Sequence, residues 1–202
     1  MYIENPDNYI GEVFESKQGV IAAVLFPGRR KPVKIGDFIY VKGREEAISI
    51  IKSIESRPKL IGDFKFAYPG VSGTDVYLKI MSHDSMRKEN VYLKPIYVVD
   101  GGRLVPSTYV EVYPHTPLFK MGYEEVRGLV LVDGELNLSF LKRIELGDRE
   151  VVTGLVYNLL NILGLEYYRG IFKEFLRYGR RYGGDVEMIL DVFSEVLRVV
   201  GG

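Results

Sequence analysis

The sequence predicts an α+β fold: an N-terminal small closed antiparallel β-barrel followed by a C-terminal helical segment of about three helices. Short apolar runs separated by Gly and Pro fill residues 9–58, which is typical of a small barrel. From residue 148 the apolar residues recur with the period of a helix instead. The predicted domains are a β-barrel domain over 1–113, a linker with a short helix and strand over 114–147, and a helical domain over 148–202.

The first half of the predicted barrel consists of four short strands. Turn signals at Gln18-Gly19, Pro27-Gly28 and Lys42-Gly43 separate them. The strands are Ile10–Phe14, Val20–Phe26, Phe38–Val41 and Ala47–Ile54.

Between Lys59 and Gly73 the chain is rich in glycine and aromatic residues. Phe64, Phe66 and Tyr68 alternate, so in an extended segment their rings share one side. Such an interaction strip suits a protein partner or the stacking of bases. The alternative, which the period favours, is that the rings close one mouth of the barrel.

Three further stretches complete the predicted barrel. Asp75–Met81 alternates apolar and polar residues, and Val91–Val99 is a strand in which Pro95 indicates an edge or a bulge. Asp100-Gly101-Gly102 predicts a hairpin turn into a short returning strand. Glu111–Tyr113 is predicted to close the barrel.

After an extended exit at Pro114–Pro117, the pattern predicts a short helix over Tyr123–Leu131 and a strand in which Leu136, Leu138 and Phe140 alternate with polar residues. Helical spacing then favours a helix through Leu165–Tyr178, and Asp185 is a predicted N-cap for the last helix. The predicted apolar stripe of that helix is Val186, Ile189, Leu190, Phe193, Val196, Leu197 and Val200.

Composition excludes several activities. The chain has no cysteine, which excludes disulfides, thiolate catalysis and cysteine-ligated zinc. His83 and His115 lie in unrelated loops, and neither a G-x-S-x-G nor a P-loop motif occurs. Glu45-Glu46 and Glu124-Glu125 are interpreted as solvated carboxylates, because acid–base use would need a cleft. The sequence thus favours a protein without catalysis, cofactor or metal, and an enzyme built from scattered Asp and Glu residues is the least favoured hypothesis.

The N-terminus has neither a basic segment nor an apolar run, and no stretch approaches the roughly 20 apolar residues that span a bilayer. These features predict a cytoplasmic protein without membrane contact.

Charge carried by Lys, Arg and Glu, with a single glutamine, is a tendency of thermophile proteins. The 27 basic and 27 acidic residues give a formal net charge of zero, so nucleic-acid binding would depend on local patches.

Two basic clusters are candidate nucleic-acid contacts. The first lies in the loop before the third strand, and the second is interleaved with Tyr178 and Tyr182, so that cations and rings could hold phosphates and stack bases. Solvated loop tips and helix C-termini carry the same residues, since cations also suit the helix dipole there. The clusters are Arg29, Arg30, Lys31 and Lys34, and Arg177, Arg180 and Arg181.

The run PVKIGDFIYV, preceded by YIGEVFES and GVIAAVLFPG and followed by AISIIKSIE, resembles the HAS-barrel. This is the N-terminal barrel of HerA-type archaeal DNA translocases, which is related to the ATP synthase barrel. The resemblance extends through VYLKI and HTPLFKMGYEEVRGLVLVDGELNL, and so covers about two-thirds of the chain. It implies a role in subunit assembly and in docking a partner of DNA processing or repair, such as an ATPase or a nuclease.

Where the family enters its ATPase core, this chain departs from it. Gly154 is followed by LVYNLLNIL without Gly-Lys-Ser/Thr, and only helical sequence follows. ATP hydrolysis and DNA pumping are therefore not implied. Two hypotheses remain foremost: a non-enzymatic module that self-associates or docks a protein partner, and a nucleic-acid-binding barrel.

Overall fold

Six strands form a closed antiparallel barrel in the computed structural model, which describes residues 6–26, 29, 31–58 and 87–200. The strand order is β2-β1-β7-β3-β4-β5, and pairing of β2 with β5 closes the cylinder. This confirms the predicted fold class. The sheet has a seventh strand, β6, which pairs with β5 and is not part of the closed barrel. The seven strands are β1 (Tyr9–Lys17), β2 (Val20–Leu25), β3 (Phe38–Lys42), β4 (Glu46–Pro58), β5 (Arg87–Asp100), β6 (Arg103–Pro106) and β7 (Pro117–Lys120).

Four α-helices, all C-terminal to the barrel strands, complete the described part of the fold, together with a small hairpin of β8 and β9. Their bounds are α1 (Tyr123–Val130), β8 (Leu131–Val132), β9 (Glu135–Leu136), α2 (Arg149–Leu163), α3 (Tyr168–Tyr182) and α4 (Val186–Val200). Short 3₁₀ helices lie at Pro6–Asn8, Ser139–Arg143 and Leu165–Tyr167. No helix in the described ranges has the length and apolar character that crossing a bilayer requires.

The barrel wall is apolar on both of its faces. In β3, Ile39 and Val41 point into the barrel interior, while Phe38 and Tyr40 point outward and pack with the helices. The ring of Phe38 meets that of Phe140 edge-on at 5.5 Å. The continuous run of apolar residues in β3 thus reflects two cores, one inside the cylinder and one between its outer wall and the helices.

The strand that completes the barrel is β7, between β1 and β3, and not Glu111–Tyr113 as the sequence predicts. Residues 107–116 form no ladder. Val110 and Val112 are nevertheless buried in the interior core. The alternation of apolar and polar residues here therefore results from burial and not from strand pairing. Pro95, in contrast, lies at a bulge of β5 opposite Ser49, as predicted.

One other strand prediction fails in detail. The strand predicted through Leu136–Phe140 ends at Leu136, and a 3₁₀ helix follows from Ser139 to Arg143. Leu138 and Phe140 are fully buried all the same, because the Asn137 side chain accepts from the Ser139 N–H and turns the chain. The predicted strand Asp75–Met81 lies outside the described residues.

Capping residues set the ends of the helices. Asp148 Oδ1 accepts hydrogen bonds from the N–H groups of Glu150 and Val151 at the start of α2, and Asp185 caps α4 through Met188, as predicted. Gly183, in the left-handed region at φ +76°, ends α3. On α4, the predicted stripe is wrong for Leu190 and Leu197, which are 43% and 52% exposed.

Helix α2 packs against the barrel through a contact between two glycines. An added Cβ on Gly154 would lie 2.2 Å from the Ile35 carbonyl oxygen, and one on Gly36 would lie 2.4 Å from the Gly154 carbonyl carbon. Gly36 also has φ +86°, a conformation that side chains disfavour. The Asn158 side-chain amide donates to the Gly36 carbonyl at 3.0 Å, which fixes the helix on the turn before β3.

Replacement of Gly154 by alanine is expected to destabilise the protein by about 1–3 kcal/mol, because the methyl group forces α2 away from Ile35. Gly128→Ala in α1 is the matched control: the new methyl group meets nothing within 4 Å, and alanine favours a helix. Urea unfolding measures both. An equal free energy of unfolding for the two variants would contradict the packing role of Gly154.

Candidate interaction surfaces

A groove of about 690 Å³ lies on the outer barrel wall, between the β5–β6 hairpin and α1. Its floor is apolar and consists of side chains from four elements of the wall and from the region of α1. These floor residues are Tyr40, Ile48, Val99, Leu104, Met121 and Leu129. In the described part of the chain, no residue of α2, α3 or α4 lines this groove.

The groove is acidic. Its lining includes the carboxylates of Glu46, Glu124 and Glu125, and none of the described residues that line it is a cation. Lys42 lies opposite Glu46 in the β3–β4 ladder but does not line the groove. The two glutamates of α1 occupy its first turn, where carboxylates favour the helix dipole. Negative charge at the rim is therefore compatible with local stability and leaves an attractive field for a cation.

One wall of the groove is the β5–β6 hairpin. Gly101 and Gly102, at φ +54° and +79°, form its tight turn, as the sequence predicts. In the described residues β6 pairs only with β5, so its outer edge presents free backbone groups beside the exposed side chains of Leu104 and Val105. An apolar strand edge of this kind is a ready site for association.

Two side chains of the first predicted basic cluster form contacts within the chain. An ion pair of 2.5 Å joins Arg29 to Glu89, and the Lys31 ammonium donates to Asn8 Oδ1 at 2.5 Å. Lys34 has its backbone N–H bonded to Asp37 Oδ2 at 2.8 Å, while its side chain lines the cleft beside α2. Arg30 lies outside the described residues. Arg29 and Lys31 are therefore engaged within the chain and are less available to bind phosphate.

The second predicted cluster lies at the end of α3, and its side chains are more available for contact with another molecule. Arg177 is engaged, since it pairs with Glu174 at 2.5 Å and lies over the Tyr178 ring at 4.7 Å. Arg180 and Arg181 are exposed and form no ion pair with a described residue. Arg181 lies over the ring of Tyr182, 5.7 Å from its centroid.

A second cleft, of about 820 Å³, lies beside the contact between α2 and the turn before β3. Both polar and apolar residues line it, and its charges compensate each other: Lys120 donates to Asp37 Oδ2 at 2.7 Å, and Arg149 to Glu195 at 2.7 Å. The Lys120 ammonium also donates to the Pro32 carbonyl. Asp37 is nearly fully buried, so this network fixes the turn and leaves no excess charge for a ligand.

Another buried carboxylate, Glu12, accepts from the Tyr9 hydroxyl at 2.7 Å and lies 3.1 Å from His115 Nδ1. His115 has φ +67° and is held by backbone bonding of its N–H to the Val13 carbonyl. The group ties the segment before β7 to β1. It lines none of the clefts described above.

Residues 109–113 expose two rings. Tyr109 and Tyr113 face solvent, and the Tyr113 hydroxyl donates to Glu111 at 2.9 Å. This hydrogen bond, with the negative charge of Glu111, raises the pKa of Tyr113. The predicted interaction strip of Phe64, Phe66 and Tyr68 lies outside the described residues.

Sequence analysis did not assign the groove. Glu46 and Glu124-Glu125 are far apart in the chain, and each pair alone is an ordinary solvated one. Only the placement of α1 beside β4 brings them together, which no local pattern indicates. The described residues contain no group of three or more His, Asp or Glu side chains placed to hold a metal ion.

Comparison with protein-family models gives no match to the chain, and comparison with curated proteins gives none of significance.

Replacing Lys120 by methionine is expected to cost about 1–3 kcal/mol of stability, because the buried carboxylate of Asp37 loses its cation. Lys142→Met, at an exposed position, is the control and should stay within about 0.5 kcal/mol of the unaltered protein. Thermal and urea unfolding give both values. If Lys120→Met lowers the free energy of unfolding as little as Lys142→Met does, Lys120 does not fix the turn before β3.

Proposed function

We propose that the protein is a non-enzymatic interaction and assembly module, which self-associates or docks a protein partner through the outer wall of its barrel. The observation that carries this proposal is the groove between the β5–β6 hairpin and α1, with an apolar floor and an acidic rim. Uncovered apolar surface rimmed by charge is typical of association sites.

The chemistry of the groove supports docking over catalysis. Its carboxylates supply the acidic cleft that an enzyme of scattered Asp and Glu residues would need. However, its described lining contains no histidine, serine, threonine or lysine that would act as base or nucleophile beside them. An apolar floor of six side chains suits the burial of a partner's side chain.

The free edge of β6 adds a second means of association. A partner strand can extend the β5–β6 hairpin by backbone hydrogen bonds, while its side chains enter the groove. The resemblance to the HAS-barrel supports an assembly role of the same kind. It further suggests a partner that belongs to DNA processing, namely an ATPase or a nuclease.

Leu104→Glu tests the proposal, because it places a carboxylate among the apolar residues that line the groove without changing either core. We expect self-association in light scattering, or a stable complex with a purified cellular partner, and we expect Leu104→Glu to weaken it at least about tenfold. Val132→Glu, at a similarly exposed residue of the β8–β9 hairpin, is the control and should leave association unchanged. A strict monomer that retains no partner would refute the proposal.

The second candidate function is nucleic-acid binding by the end of α3, which the free charges of Arg180 and Arg181 beside the Tyr182 ring favour. DNA affinity that falls steeply with salt, and falls further in Arg30→Ala with Arg180→Ala, would support it. Affinity that the double variant leaves unchanged would remove it.

A further inference from the structure

We infer that the groove of one copy of this chain binds the C-terminal end of α3 of a second copy, through Arg180, Arg181 and Tyr182. The inference rests on the proposed function and names the partner of its site. It follows from three features of the described residues: complementary charge, an aromatic side chain that suits an apolar floor, and a helix end that is fixed before contact.

Charge complementarity is the first argument. Among the described residues, the groove lining has three carboxylates and no cation. The end of α3 presents Arg180 and Arg181, which are exposed and without an ion pair in the described part of the chain. Two surfaces of opposite sign on a chain of zero net charge attract each other between copies.

The second argument is the match of Tyr182 to the floor. Its side chain is 50% exposed, although it stacks on Tyr178 with ring centroids 5.8 Å apart. A tyrosine flanked by arginines is the composition of an interface anchor, in which the ring is buried and the cations meet a charged rim. The apolar floor of the groove and its glutamates offer both environments.

The third argument is the local structure of the helix end. Gly183 ends α3, and the Gly184 N–H bonds back to the Gly179 carbonyl at 2.8 Å. Arg181 already lies over the Tyr182 ring. Side chains that are ordered beforehand lose less conformational entropy on binding, so the helix end is suited to act as the inserted element.

Charge reversal on each surface, alone and in combination, tests the inference. Glu124→Lys with Glu125→Lys makes the groove basic, and Arg180→Glu with Arg181→Glu makes the helix end acidic. We expect the unaltered protein to self-associate in sedimentation and light scattering, less so as salt increases. Each double variant alone should associate at least about 100-fold more weakly, since like charges then face each other.

Mixing the two double variants in equal amounts should restore association, because every contact between them again joins opposite charges. Arg169→Glu with Lys173→Glu is the matched control on the same helix, and should associate as the unaltered protein does. Circular dichroism confirms that all variants are folded. Restoration in the mixture is a result that simple loss of folding does not produce.

Three results would overturn the inference. One is self-association that both double variants retain, and another is a mixture that stays monomeric. The third is an unaltered protein that is monomeric but retains a foreign partner in a Leu104-dependent manner. That third result would leave the proposed function standing, whereas a monomer without any partner would remove both.

Discussion

The contact between Gly154 of α2 and Gly36 before β3 is the constraint on which the arrangement of barrel and helices depends. Without a Cβ on either residue, the helix backbone meets the turn directly, and Asn158 adds a hydrogen bond to the Gly36 carbonyl. With α2 fixed there, its other faces carry α4 and α3, which pack on it. The helical segment thus covers the barrel of its own chain, and its position decides which part of the wall stays open.

The barrel wall is a two-sided layer, and this explains most of its sequence. Apolar residues on its inner side fill the cylinder, while Phe38, Tyr40 and Phe119 on the outer side join the helices in a second core. Tyr40 packs in this outer core and also lines the groove. The groove is therefore the margin of the outer core, and its apolar floor continues a surface that the helices bury elsewhere.

The sequence was sufficient for the fold class, because period and turn chemistry are local signals. The positions of the first four strands, the Gly101-Gly102 hairpin and the Asp185 cap were predicted from neighbouring residues, although β1 and β4 extend beyond their predicted ends to Lys17 and Pro58. Identifying β7 required knowledge of pairing: Pro117–Lys120 is a short strand, while Val110 and Val112 alternate without a ladder. Likewise Leu190 and Leu197 fit a helical stripe, but the stripe that α2 and α3 can cover is narrower than the apolar one.

The candidate site was beyond sequence analysis for a physical reason. Glu46 at the start of β4 and the glutamate pair in the first turn of α1 each have a sufficient local explanation, and only tertiary packing makes them one acidic surface. The basic residues show the converse, since Arg29, Lys31 and Arg177 look free in the sequence and are engaged in the structure. The unbalanced charge of a surface is therefore the charge that remains after the ion pairs and hydrogen bonds within the chain are taken into account. In the described part of this chain the clearest examples are the groove and the end of α3, and their opposite signs make one the natural partner of the other.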